Sequence, residues 1–296
     1  MTWEIAVAGT VHIDDITTPA GHRPVQLGGS AVYFALAAAP RATVHLNGIV
    51  GRDHAGDFAD LLAGTSVVGD GLVVSEQQTF RWHARHDFDR WLAVDTFSVE
   101  GCDASWEPRL PPAAAAAEVL FLASMRPALQ RAVLDQSSAR LIGADSMTDY
   151  TVPEREAVRD VVHACDVLFL NRIELASLTR APTTTWRQEA IAMCGVGRLR
   201  AVVVKGGPAG ASLVTEDGVI SRPAAPVGGQ VVDPTGAGDA LAGGFLAACA
   251  VAQRADADFF PTALDAGLQR AAAAISHFGV SGLVENPAAS AAEGRT

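Results

Sequence analysis

Short runs of apolar, β-prone residues alternate with alanine-rich stretches along most of this chain, and this alternation limits the possible folds more than any other feature. Runs such as Val119–Leu122 and Val167–Asn171 carry almost no polar residues. Continuous apolar runs are typical of strands that are covered on both faces, whereas strands with one wet face alternate apolar and polar residues. We therefore predict an α/β fold with three layers, in which helices cover both faces of a mainly parallel central sheet.

The individual elements are predicted from the same patterns. Strands are predicted at residues 4–9, 41–50, 119–122, 141–145, 167–171, 201–205 and 211–215. Helices are predicted after the glycines at 28–29 and at residues 54–63, 153–164, 186–195, 237–252 and 262–278. Residues 72–100 are β-prone with a two-residue alternation, which predicts a small β excursion outside the three layers. In open sheets ligands bind at the carboxyl ends of the strands, so we expect functional residues there.

Composition excludes several classes of protein. The 296 residues are 49% hydrophobic, which is enough for a sizeable core, and we predict a single domain over residues 1–296. The net charge of -11 argues against binding to nucleic-acid backbones. The four cysteines form no CxxC pair, so reduced thiols are expected. There is no signal-peptide pattern and no apolar stretch long enough to cross a bilayer, so we expect a soluble cytoplasmic protein without a membrane partner.

The stretch of residues 232–245 carries the most chemical information. A loop of Asp, Pro, Thr and Gly runs directly into a predicted helix whose first turn contains Gly236, Ala237 and Gly238. The N–H groups at a helix start lack intrahelical partners, and the helix dipole adds partial positive charge. Small residues let an anion approach these N–H groups closely, so the stretch predicts a phosphate site built from backbone.

Asp239 follows this predicted anion hole directly. A carboxylate there is explained if it takes a proton from an attacking hydroxyl group while the backbone holds the transferred phosphoryl group. The alternative is a structural first-turn Asp that the helix dipole favours. A P-loop motif is absent, and the third glycine of GxGxxG is missing after Gly236 and Gly238, which argues against a P-loop kinase and a dinucleotide-dependent dehydrogenase.

The stretch of residues 233–245 closely resembles the C-terminal motif of the PfkB, or ribokinase-like, carbohydrate kinase family. Four further segments resemble family motifs in the same order, namely Gly28-Gly29-Ser30-Ala31, residues 48–56, Asn171-Arg172-Ile173-Glu174 and residues 205–210. The resemblance implies a ribokinase-like fold with a small β-lid, formed by about residues 10–27 and 72–100. It also implies ATP and Mg²⁺ as cofactors and a homodimer that forms through the lid.

The resemblance implies a role for each matching residue. Asp239 would be the catalytic base, with Gly236, Ala237 and Gly238 as the anion hole for the γ-phosphate. Asn171 and Glu174 would lie near the phosphates, with Glu174 organising Mg²⁺ through water. The remaining residues are expected to line the nucleotide (Lys205, Gly207, Gly210, Gly279), to hold substrate (Asp14, Gly28, Gly29, Tyr33) or to bind a monovalent cation such as K⁺ (Asp233, Thr235).

Structural alternatives exist for most of these residues. Asn171 and Glu174 could simply begin a helix, and Lys205 with its glycines could form a hairpin turn. Asp14 could be a plain loop carboxylate. In the lid, Arg81 is expected to pair with Asp87 or Asp89 rather than with substrate, and His83 and His86 are expected on the surface. These alternatives stay open on sequence alone.

The sequence predicts ATP-dependent phosphorylation of a hydroxyl group on a sugar or a sugar-like small molecule. A nucleoside kinase is the first alternative, because Tyr33, Phe34 or Trp82 could stack on a base. A non-catalytic ligand-binding or regulatory protein on a kinase fold is the second, although Asp239 and its glycines are all present.

Overall fold

A large sheet of nine strands forms the centre of the protein. The computed structural model describes residues 2–284. Numbered in chain order, the strands of this sheet are β1 (Ile5–Ala8), β4 (Val44–Gly51), β5 (Val67–Ser75), β8 (Val119–Leu122), β9 (Leu141–Asp145), β10 (Val167–Asn171), β11 (Ala201–Lys205), β12 (Ala211–Thr215) and β13 (Gly218–Arg222). Their spatial order is β13-β12-β11-β10-β9-β8-β1-β4-β5. Seven neighbouring strands, from β11 to β5, are parallel, and β12 and β13 add an antiparallel hairpin.

Helices cover both faces of this sheet, which confirms the predicted three-layer α/β architecture. They are α1 (Ser30–Ala38), α2 (Ala55–Leu62), α3 (Pro112–Ala116), α4 (Pro127–Leu134), α5 (Thr148–Thr151), α6 (Arg155–Ala164), α7 (Arg172–Thr179), α8 (Trp186–Met193), α9 (Ala237–Ala252) and α10 (Phe260–Ala274). None of these helices, within residues 2–284, is long and apolar enough to cross a membrane.

The two faces of the sheet bury two separate apolar cores. On β1, Ile5 and Val7 point to the core that contains α1, α9 and α10, whereas Ala6 and Ala8 point to the core that contains α3, α4 and α6–α8. Both sets are fully buried. This explains why the strands read as continuous apolar runs: successive side chains enter different cores, and both are dry.

A second, four-stranded sheet packs beside the large one and is called the lid below. Its strands, in spatial order, are β3 (Gly21–Gly28), β2 (His12–Thr18), β6 (Arg81–Asp87) and β7 (Leu92–Val99). β2 and β6 are parallel, while both outer pairs are antiparallel. The lid carries exposed apolar side chains, including Phe97 at 60% exposure and Val99 at 46%. Homodimerisation through the lid stays a prediction.

The predicted boundary of the lid was wrong at one end. Residues 72–75 were assigned to the lid, but they belong to β5, which pairs in parallel with β4 at the edge of the large sheet. Leu72 packs against the core that contains α1. The β-prone composition of residues 72–100 therefore spans two different sheets, and composition alone does not distinguish between them.

Candidate active site

The loop before α9 makes a tight turn at Gly236. This residue has a φ of 72° and forms the N-cap of α9. A Cβ at this position would collide with the ring of Tyr33, so only glycine fits. Ala237 N donates to Pro234 O at 3.3 Å, so the next N–H groups, those of Gly238 and Asp239, are the candidates for binding an anion at the helix start.

Three charged side chains meet beneath this turn: Lys205 and Asp145 at the ends of β11 and β9, and Glu174 in the first turn of α7. Lys205 ends β11, and its Nζ donates to Asp145 Oδ2 at 2.8 Å and to Asp145 Oδ1 at 3.0 Å. Glu174 Oε2 lies 4.0 Å from the same amine. A Cβ on Gly238 would lie 3.2 Å from Lys205 Nζ, so the turn sits directly on the lysine. The structure therefore places Lys205 in a carboxylate cluster under the predicted anion hole.

Asp145 is a site residue that the sequence reasoning missed. It ends β9, is 5% exposed, and provides both hydrogen-bond acceptors for Lys205. The signal was available, because residues 141–145 were predicted as a buried strand, and a carboxylate at the carboxyl end of such a strand lies where ligands bind.

Asp239 lies in the first turn of α9, next to this cluster. Burial raises its pKa well above the ordinary value, and the negative charge of Asp145 raises it further, while the ammonium group of Lys205 lowers it. A carboxylate whose pKa is raised holds a proton more tightly than an ordinary one. The arrangement places a carboxyl group of raised pKa directly beside the predicted backbone anion site.

Asn171 and Glu174 form a capping box at the start of α7. Asn171 Oδ1 accepts from the N–H groups of Ile173 and Glu174 at 2.8 and 2.9 Å, and Glu174 Oε2 accepts from Asn171 N at 2.7 Å. The helix-start alternative is thus present in the structure. These contacts use the single side-chain oxygen of Asn171 and one of the two carboxylate oxygens of Glu174, so a second role is compatible with the Asn171 amide nitrogen and with Glu174 Oε1.

The carboxylate oxygens of this cluster suit Mg²⁺ that is held through water rather than by direct ligation. Asp145, Glu174 and Asp239 supply oxygen atoms, which Mg²⁺ prefers. Within residues 2–284, however, no three His, Cys, Asp or Glu side chains are arranged as a direct metal cage. Mg²⁺ usually keeps several waters and is shared with substrate phosphates. The residues therefore fit a magnesium ion that is held through water and phosphate, as the family resemblance implied for Glu174.

We predict that Glu174→Gln flattens the dependence of stability on pH. Burial raises the pKa of Glu174 to about 7 in the folded protein, from 4.5. The native state then binds the proton more tightly than the unfolded chain, so stability is greatest at low pH and falls as pH rises from about 4.5 to about 7. Glutamine preserves the capping acceptor and removes this titration. Urea denaturation of both proteins between pH 4.5 and 7.5 measures the difference, expected to be roughly 1–3 kcal/mol across this range. If the free energy of unfolding changes with pH by the same amount in both proteins, the prediction is contradicted.

Asp14 is completely buried between the lid and α1. Its Oδ1 lies 2.8 Å from His12 Nε2, and Tyr33 Oη donates to its Oδ2 at 3.4 Å. A Cβ on Gly28 would collide with this carboxylate, and one on Gly29 would collide with the Thr10 carbonyl. The two glycines therefore let the start of α1 approach β2, and Asp14 is more than a plain loop carboxylate.

The aromatic residues after these glycines are not available to stack on a ligand. Tyr33 is 1% exposed and lies against Gly236, and Phe34 is fully buried with its ring stacked on Phe121 at 4.2 Å. Tyr33 contacts Asp14 and the loop of residues 233–238, called the anion-site loop below, from inside the core. Stacking on a base, which the sequence left open for Tyr33, does not fit this position, and its role in holding substrate stays a prediction. Trp82, in the lid, is only partly buried.

Asp233 and Thr235, the predicted cation ligands, have protein partners. Asp233 is 1% exposed; its Oδ1 accepts from Thr235 N at 2.9 Å, and its Oδ2 accepts from Gly279 N at 3.2 Å. His86 Nε2 lies 2.9 Å from Thr235 Oγ1. The expectation of a surface position was therefore wrong for His86, whose side chain is 9% exposed.

Other lid predictions were also wrong. His83 is partly buried, lies 3.1 Å from Asp15 and stacks on Phe97. Arg81 contacts His54 Nε2 at 3.1 Å instead of Asp87 or Asp89. β6 lies between β2 and β7, so the His83 ring is flanked by a side chain from each neighbouring strand, Asp15 and Phe97.

A cavity of about 630 Å³ opens beside the anion-site loop. It lies between the segment of residues 225–232 and the side of α10 with the turn that follows it. Its lining includes Gly228, Gly229, Val232, Ala273 and His277.

Gly207 and Gly210, which were predicted to line the nucleotide, lie in the turn between β11 and β12. A Cβ on Gly210 would collide with the backbone at the end of β13. The hairpin alternative for these two glycines is thus present.

Comparison with known proteins gives a consistent result. The profile of a family described as pfkB family carbohydrate kinase matches residues 7–287. A cytidine kinase from Thermococcus kodakarensis is 27% identical over 253 residues, which cover 82% of this chain and 87% of that protein.

Solved structures share the fold. The ribokinase from Cryptococcus neoformans var. grubii, in complex with ADP, has a TM-score of 0.77 at 19% identity, covering 99% of this chain and 100% of that one. The nucleoside kinase of Burkholderia thailandensis, in complex with inosine, has a TM-score of 0.74 at 17% identity, covering 93% and 92%. At these identities the structural similarity concerns the fold alone.

Proposed function

Because the chain belongs to the pfkB family of carbohydrate kinases, we propose that it transfers the γ-phosphoryl group of ATP to a hydroxyl group of a sugar or nucleoside. Membership in this family makes the protein a phosphotransferase that acts on a hydroxyl group of a sugar-like substrate. The observation that carries the finer proposal is Asp239, a carboxylate of raised pKa that lies beside the glycine turn at 236–238.

In the proposed mechanism each residue has a distinct task. Asp239 accepts the proton of the acceptor hydroxyl group as this group attacks phosphorus. The N–H groups of the turn hold the charge that develops on the transferred phosphoryl oxygens. Lys205 keeps the neighbouring carboxylates neutralised, so that they do not repel the anion. Mg²⁺, held near Asn171 and Glu174 through water, would supply charge neutralisation between the phosphates.

The two substrate sites are proposed on opposite sides of Asp239. We place the acceptor near Asp14 and the glycines at 28–29, under the lid, where a buried carboxylate can accept hydrogen bonds from hydroxyl groups. We place the adenine in the 630 Å³ cavity beside Val232. A cavity of this size suits a nucleotide base and its ribose.

A nucleoside acceptor is favoured by one comparison. The curated relative that matches 82% of this chain is a cytidine kinase. The family description, in contrast, indicates a carbohydrate. Ribose and nucleosides both offer a ribose ring with a primary hydroxyl group, so the same catalytic residues serve either of these acceptors.

An acceptor panel tests the proposal directly. The purified protein is mixed with MgATP and either pentoses, hexoses, polyols, cytidine, inosine or adenosine, with and without K⁺, and ADP release is followed. We expect one acceptor class to raise ADP release well above the rate without acceptor, and product analysis to find one phosphate ester. ATP binding without turnover on any acceptor would favour the non-catalytic alternative.

A further inference from the structure

A histidine of the lid reaches the loop that precedes α9. His86, on β6, lies with its Nε2 2.9 Å from Thr235 Oγ1, although the two residues are 149 positions apart in the chain. The same nitrogen lies 3.9 Å from Asp233 Oδ1, and the His86 side chain is only 9% exposed. This contact joins the lid to the residue immediately before Gly236.

Asp233 extends this contact to a second segment. Its two carboxylate oxygens accept the N–H groups of Thr235 and Gly279 and thereby hold the anion-site loop against the turn that follows α10. Since Asp233 is 1% exposed, both bonds are shielded from water. Hydrogen bonds to a buried carboxylate are among the stronger ones in proteins, so the two segments are expected to move as one unit.

The lid also touches this second segment. A Cβ on Gly279 would lie 2.5 Å from Gln26 Oε1, which shows how closely β3 approaches the turn. The guanidinium group of Arg23 lies 4.9 Å from the centre of the Phe278 ring. The lid therefore contacts both segments that Asp233 holds together, from β6 on one side and from β3 on the other.

We propose that His86 is a positioning residue for phosphoryl transfer, which orders the anion-site turn at Gly236–Gly238 by holding Thr235 from the lid. The order of the anion-site turn then depends on a contact from the lid, and loss of this contact is expected to slow phosphoryl transfer. This inference rests on the proposed function of the turn.

The charges around His86 are compatible with this role. Asp233 and Asp14 face the imidazole, and both raise its pKa, but burial lowers the pKa by more. The imidazole is therefore neutral near pH 7, and a neutral ring with its proton on Nε2 donates one hydrogen bond to Thr235. No charge is needed for the contact.

Two substitutions test the proposal. We expect His86→Ala to lower kcat about 10–100-fold, because small displacements of catalytic groups have effects of this size. His86→Gln is expected to restore kcat to within about threefold of the wild type, because its amide can donate from a position similar to that of Nε2. The matched control is Arg85→Ala, which changes the next residue of the same strand, an exposed partner of Asp95, and is expected to leave kcat unchanged.

The pattern of kinetic constants separates this role from others. An increase in the KM of the acceptor with kcat unchanged would mean that His86 contacts the acceptor, and it would overturn the proposal. Unchanged constants in His86→Ala would overturn it as well. If the wild type shows no turnover on any acceptor, the proposed function fails. The role of His86 in ordering the turn is then tested separately, by calorimetric measurement of AMP-PNP affinity in the presence of Mg²⁺. We expect the alanine variant to bind AMP-PNP about tenfold more weakly, and equal affinity would overturn the proposal.

Discussion

Asp239→Asn is expected to lower kcat by about 10²–10⁴-fold, the range that general bases typically contribute. Asparagine has nearly the same shape but does not accept the proton of the acceptor hydroxyl group. The N–H groups of the turn and the cavity beside Val232 are unchanged, so ATP affinity is expected to stay within about threefold of the wild type or to increase, since a negative charge near the phosphates is removed. Steady-state kinetics and calorimetry with MgATP measure the two quantities.

A matched control makes this result interpretable. Asp258→Asn removes an exposed carboxylate before α10 and is expected to change neither quantity. Burial and Asp145 raise the pKa of Asp239 in the free protein, so the wild-type kcat/KM is also expected to fall with decreasing pH already above the usual Asp range. Turnover by Asp239→Asn within tenfold of the wild type would show that another group accepts the proton.

The second large expected effect is a loss of stability when Lys205 is replaced. Lys205→Met removes the only lysine of the chain from a site where it pairs with Asp145 and lies near Glu174 and Asp239. Removing one partner of a buried ion pair leaves an uncompensated charge and typically costs about 3–5 kcal/mol. Urea denaturation at pH 7.5 is expected to show a loss of this order in the free energy of unfolding, together with loss of kinase activity.

The direction in which the destabilisation of Lys205→Met changes with pH gives an independent check on the role of the lysine. Burial lowers the pKa of Lys205 in the native state, but the negative charges of Asp145 and Glu174 together raise it by more, so the net pKa is raised. The stabilising effect of the lysine is therefore complete below about pH 10 and is lost only as pH rises further. Without the lysine, the carboxylates relieve their repulsion by binding protons. The destabilisation of Lys205→Met is therefore expected to shrink as pH falls from 7.5 to 5.

Two further variants test whether the loss of stability is specific to the buried charge cluster around Lys205. Arg131→Met removes one partner of an exposed ion pair with Asp135 and is expected to change stability by less than about 1 kcal/mol. The double variant Lys205→Met with Asp145→Asn is expected to recover part of the lost stability, because one of the unpaired charges is gone. A loss below about 1 kcal/mol in Lys205→Met would mean that the lysine does not neutralise this cluster.

Local sequence patterns determined most of the architecture of this protein. The predicted bounds of β8 to β12 and of α9 agree with the structure residue for residue. Buried parallel strands read as unbroken apolar runs, and their ends are marked by the first polar residue, as at Asn171 and Lys205. The capping box of Asn171 and Glu174 is equally local, because its two residues lie three positions apart. The positive φ of Gly236 is also a local property of glycine, whereas the collision with Tyr33 that excludes other residues there is not.

Contacts between distant segments were decided by the tertiary structure alone. Residues 72–75 form the end of β5 and pair with β4 instead of joining the lid, and no local pattern records that pairing. Lys205 turns toward Asp145, which is 60 positions away, and His86 reaches Thr235, which is 149 positions away. Local sequence encodes the conformation of each segment, but which side chains meet at the site depends on how strands and lid pack together.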